Sequence, residues 1–89
     1  MHAVVVKVSI KDADAAQTAL EGQVVPRVSQ APGFVAGYWT RSDDRSNGQG
    51  MIIFESEDTA RTAADQLRAN VPDPVTLESA EVREVVANA

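Results

Sequence analysis

The chain has 89 residues, a length for one domain spanning 1–89, and a chain this short shelters only about 60% of its unfolded surface when it folds alone. It has no cysteine, which excludes a disulfide framework, thiol catalysis and thiolate metal sites. Thirteen acidic against eight basic residues leave a net charge of −5, a poor basis for gripping phosphates, and 44% hydrophobic with 24% charged residues is globular composition.

The first segment, Ala3–Ile10, reads AVVVKVSI. Its β-branched valines are already restricted about the first side-chain torsion, so an extended strand costs them little. No basic leader precedes it, and no window approaches the ~20 apolar residues that cross a bilayer, so the expectation is a cytoplasmic protein with no membrane partner. Asp12 and Asp14 suit a helix start, and Ala16, Ala19, Leu20, Val24 and Val28 then recur at helical spacing. Pro26 cannot donate to the carbonyl of Gly22, so a helix from Asp12 to Gln30 with a kink or a looser last turn is predicted.

Pro32-Gly33 stops this helix. Phe34–Arg41, FVAGYWTR, is predicted as a strand, the polar Ser42–Gly48 as a hairpin loop, and Gly50–Glu55 as the returning strand. Ser56 caps a second helix, Glu57–Asn70, whose apolar face is Ala60, Ala63, Ala64 and Leu67, with Glu57–Arg61 and Arg61–Asp65 as pairs on the outside. Pro72 and Pro74 end it, and Val75–Ala87 supplies the last strand, clearest over Glu81–Val86. The order strand–helix–strand–strand–helix–strand is the α+β, ferredoxin-like βαββαβ arrangement with an antiparallel sheet.

A ferredoxin-like sheet covered by helices on one face should alternate apolar and polar residues. Val4-Val5-Val6 and Met51-Ile52-Ile53-Phe54 are instead continuous apolar runs. Leaving such side chains wet forgoes about 1.5–3 kcal/mol each. A second copy, packed sheet to sheet about a two-fold axis into a dimeric α/β barrel, would cover them, so a homodimer is expected.

APGFVAGYWTR, a polar hairpin loop and GQGMIIFESEDTARTAADQLR together resemble the antibiotic-biosynthesis-monooxygenase family of the dimeric α+β barrel superfamily. The resemblance covers essentially the whole chain and rests on Pro32-Gly33-Phe34, the Tyr38-Trp39 pair and Phe54-Glu55-Ser56. It implies oxidation of phenols or quinols with no metal or flavin, or haem degradation. The haem-degrading branch resembles a site with an asparagine on the first strand and a histidine on the second helix. This chain has neither, its one histidine being His2.

Cofactor-free oxygenation of an electron-rich phenol requires a dry, apolar pocket and a few polar groups that orient or ionise the substrate. Counting alternate residues from Phe34 puts Phe34, Ala36 and Tyr38 on one face of their strand and Val35, Gly37, Trp39 and Arg41 on the other. The expected pocket is therefore Phe34 and Tyr38 opposite Leu20, Val24 and Val28, with Met51 adding a flexible wall. Tyr38 and Lys7 are the candidate catalytic residues, through a phenolic hydroxyl and an ammonium that could stabilise a substrate anion. Trp39, Arg41 and Val5 are expected at the dimer interface. Asp43, Asp44 and Asn47 are read as turn residues, and no metal or cofactor is assigned.

The RNA-recognition fold shares this element order. Its third-strand motif, laid on Asn47–Phe54, has Gln49 and Met51 where stacking aromatics are needed, so nucleic acid is excluded as a partner. Two readings remain: a cofactor-independent monooxygenase acting on a small hydrophobic phenol or quinol, or a non-catalytic dimeric ligand-binding or structural module.

Overall fold

The computed structural model describes residues 1–89. The chain runs β1 (His2–Ile10), α1 (Ala13–Ala19), a wide π-helical turn (Leu20–Val24), α2 (Val25–Ser29), β2 (Phe34–Arg41), β3 (Asn47–Phe54), α3 (Glu57–Ala69) and β4 (Val75–Glu84). The strands form one antiparallel sheet in the order β2-β3-β1-β4, the ferredoxin-like topology, with the helices on one face.

Local chemistry accounts for the elements. Asp12 caps α1 by accepting from the Ala15 amide at 3.0 Å. Pro26 has no N–H to offer Gly22, and the ladder widens just before it, where the Val25 amide reaches back to the Leu20 carbonyl. The predicted kink is thus a π-helical turn. Ser56 and Thr59 form a reciprocal capping box at the start of α3. Arg61 holds Glu57 at 3.3 Å, but Asp65 pairs with Arg68 at 3.1 Å rather than with Arg61.

Two boundaries differ from the sequence reading. Strand β3 begins at Asn47, inside the predicted loop, and the hairpin turns through Arg45, whose φ of 62° is left-handed. Strand β4 ends at Glu84, leaving Val86 exposed beyond it.

The core lies between sheet and helices: Val4, Ile52 and Phe54 from the strands meet Val28, Ala60, Ala63 and Ala64. Phe34 packs edge-on against Phe54, ring centres 6.2 Å apart at 81°. Eleven of 89 residues are buried, so the fold rests on a small core with much of the sheet still uncovered.

Two bulges decide which side chains face which way. The β2–β3 register slips by one residue at Val35: Phe34 opposes Phe54, but Ala36 opposes Ile53 and Trp39 opposes Gly50. The β1–β4 register slips at Glu78, so Val8 opposes Leu77 where an unbroken ladder would bring Glu78. The extra residue inverts inward and outward positions beyond it.

Candidate functional site

Cross-strand rows map the two faces. On the helix side, one row is Gly37, Ile52, Val4 and Val82; the next is Trp39, Gly50, Val6 and Ala80; the third is Arg41, Gly48, Val8 and Leu77. On the opposite face, Tyr38, Met51, Val5 and Glu81 form one row, flanked by Ala36, Ile53, Ala3 and Arg83 and by Thr40, Gln49, Lys7 and Ser79.

A cavity of about 140 Å³ opens between the helix-side rows and the helices. Its sheet wall is Val6, Val8, Ile10, Ile52, Val75 and Leu77, and its helix wall is Ala16, Leu20, Val24 and Leu67. Leu20 and Val24 bound the π-helical turn, so the irregular part of the helix forms part of the cavity wall.

Trp39 lies across the sheet as one side of this cavity. A β-carbon added at Gly37 would stand 2.7 Å from the far edge of the indole, and one at Gly50 would stand 3.0 Å from its Cδ1. The ring therefore rests on two glycines, one two residues before it and one directly across the ladder. Its N–H has no acceptor within the chain. Arg41 follows on the same face, at the cavity. No Asp, Glu, Lys or His lines the space.

The residues expected to act are distributed differently from the sequence reading. Leu20 and Val24 lie at the cavity. Val28 is buried in the core, and Phe34 packs against that core rather than lining the cavity. Tyr38 is 71% exposed and Met51 50% exposed, side by side on the face away from the helices, with Val5 next to them. Lys7 is exposed on that same face, so neither catalytic candidate reaches the cavity. Trp39 and Arg41, expected at an open-face seam, stand on the helix side instead. The reason is the bulge at Val35, which inverts the alternation counted from Phe34. The signal for Trp39 is in the sequence: Gly37, Gly48 and Gly50 empty one face of two neighbouring strands, and a large ring is needed to fill it.

His2 sits outside the cavity, its Nε2 at 3.6 Å from a Glu57 carboxylate oxygen and its buried Nδ1 without a partner. No group of three His, Asp or Glu side chains gathers to hold a metal ion. No helix is long and apolar enough to cross a membrane.

No protein-family model matches the chain, and no curated protein matches it in sequence. Solved structures do match it in fold. The cofactor-independent oxygenase SnoaB from Streptomyces nogalater superposes with a TM-score of 0.72 at 18% identity, over 98% of this chain and 94% of that one. A dimeric ferredoxin-like protein from an uncultured marine organism gives 0.65 at 8% identity, over 100% and 98%. The monooxygenase ActVA-Orf6 of Streptomyces coelicolor, in complex with nanaomycin D, gives 0.59 at 16% identity, over 99% and 92%. At these identities the likeness is one of fold, and it is the fold of the family that the sequence resembles.

Proposed function

We propose that this protein is a cofactor-independent, monooxygenase-like homodimer acting on a small hydrophobic aromatic compound of the phenol or quinol type. The observation that carries this reading is the cavity: apolar walls, an indole along one side, and a volume of about 140 Å³. An apolar cavity of about 150 Å³ takes up one benzene ring. Similar folds include a cofactor-independent oxygenase, which supports the reaction class.

The balanced change is phenol plus O2 giving a para-quinone plus water, with O2 the only oxidant. A phenolate passes one electron to O2, the radical pair closes a C–O bond, and loss of water leaves the second carbonyl. In this reading the chain holds the ring beside Trp39 and keeps bulk water away, where each remaining electrostatic contact is stronger.

The homodimer rests on the open face. Tyr38, Met51 and Val5 form an apolar row that the same row of a second copy would cover about a two-fold axis. Tyr38 and Lys7 then serve the seam between copies rather than the substrate.

The test is oxygen uptake with a panel of phenols and quinols, comparing the protein with Trp39→Ala. Uptake should rise clearly above the protein-free rate and fall at least about tenfold in the variant. If no phenol or quinol consumes oxygen above that rate, the enzymatic reading is lost. The absence of any His, Lys, Asp or Glu at the cavity favours the second reading, a non-catalytic dimeric binding module, because no such group stands ready to take the phenol proton. Binding without oxygen uptake would select it.

A further inference from the structure

The cavity has a charge asymmetry opposite to that of the chain. The protein carries thirteen acidic and eight basic residues, yet the only charged residue lining the cavity is Arg41. Arg45, Arg61, Arg68 and Arg83 each lie within 4.0 Å of a carboxylate of the chain, whereas Arg27 and Arg41 pair with none, and of these two only Arg41 lines the cavity. Two residues before it on the same face, the Trp39 indole N–H also lacks an acceptor. The cavity is thus lined by apolar side chains, by the uncharged polar residues Gln17, Thr40, Gln49 and Asn70, and by one exposed cation, Arg41, with no carboxylate.

The bulge at Glu78 maintains this arrangement. An unbroken β1–β4 ladder would set Glu78 opposite Val8, on the row that carries Arg41. The slip puts Leu77 there, and the Glu78 carboxylate instead accepts from the Ser9 hydroxyl. The one acid that the regular register would bring to the cavity wall is turned away from it.

Resting on the aromatic-cavity reading above, we propose that the cavity selects an anionic aromatic ligand, an arene carboxylate or an ionised phenol. Its ring lies beside the Trp39 indole and its negative oxygen meets the Arg41 guanidinium. A planar guanidinium suits a carboxylate because two parallel N–H donors match its two oxygens. No protein acid competes for those donors at the cavity, and the apolar walls favour the ring.

The chain has one tryptophan, so its indole N–H gives one resonance in a nitrogen–proton correlation spectrum and reports directly on the cavity. Titration with benzoate and with benzamide, nearly equal in shape and different in charge, separates ring from charge. Benzoate should bind about tenfold or more tightly than benzamide. Arg41→Gln should bring benzoate down to the benzamide level and leave benzamide unchanged. Arg61→Gln, on α3 and away from the cavity, should alter neither. If benzamide moves the indole resonance but benzoate has no advantage, or if the advantage survives Arg41→Gln, anion selection is wrong and the aromatic cavity stands. If neither compound moves the resonance at millimolar concentration, both inferences fail together.

Discussion

The helix-side face of the sheet keeps Val4, Ile52 and Phe54 entirely out of solvent, whereas the opposite face leaves Tyr38 and Met51 largely exposed. Both faces come from the same four strands, and both carry apolar residues in the middle of the sheet. The difference lies in what each face can do alone. One is filled by alanines from α3 and by Val28, and is hollowed beside Trp39. The other has apolar side chains that nothing in the chain covers, and it is there that the proposed second copy would pack.

This contrast predicts opposite responses to substitution, and the largest effect belongs to the filled face. Phe54→Ala removes a fully buried ring and should cost about 3–5 kcal/mol in chemical unfolding, at every protein concentration. Tyr38→Glu should cost little in the unfolding of a single chain but place a charge in the seam between copies. Light scattering should then fall from twice 9.5 kDa to 9.5 kDa. A mass that stays doubled in Tyr38→Glu, or one of 9.5 kDa before any substitution, would remove the open-face dimer.

A smaller effect tests the hollow within the filled face. Gly50→Val puts a branched side chain where even a β-carbon would stand 3.0 Å from the indole. The ring must tilt or leave the sheet, at a cost of about 1–3 kcal/mol, and Trp39 fluorescence should shift as its surroundings become wetter. An unchanged emission spectrum would mean that the ring does not rest on the glycines.

The element order, the helix caps and the interruption near Pro26 were all legible in the sequence, because each follows from chemistry within a few residues: a proline without its N–H, an aspartate before an alanine helix, a serine ahead of the second helix. The faces of β2 were not. Alternation holds only while the ladder is regular, and nothing in FVAGYWTR marks Val35 as the extra residue. One slip exchanged the places of Tyr38 and Trp39, and so put Tyr38 on the open face and Trp39 at the cavity. Leu20 and Val24 escaped this error, because a helix face is set by its own periodicity rather than by register with a partner strand. The bulge at Glu78 was equally hidden. Its consequence, an apolar wall at Leu77 and Val75, depends on a pairing between the two ends of the chain.

The hairpin joins β2, which carries Trp39, to β3, which carries Gly50, and is fixed by a different kind of force. One oxygen of Asp44 accepts from the Ser42 hydroxyl at 2.8 Å, the Ser46 hydroxyl at 2.7 Å and the Ser46 amide at 3.0 Å. Hydrogen bonds to the charged form, chiefly from Ser46, lower its pKa from 3.8 to about 2. A carboxyl whose folded pKa is depressed contributes stability above its unfolded value and loses it as pH falls through the folded one. The loop should therefore hold its shape at neutral pH and loosen between about pH 4 and pH 2, as the carboxyl gains a proton and its accepting power falls. Because the loop is exposed, the change should be local: amide signals of Ser42 to Ser46 move, while those of Val4 and Ile52 stay in place. Asp44→Asn should remove this titration while leaving Trp39 seated on its glycines. If the Trp39 signal instead follows the loop through the same pH range, the hairpin and the cavity are mechanically coupled, and Arg41, the last residue of β2, is the connection.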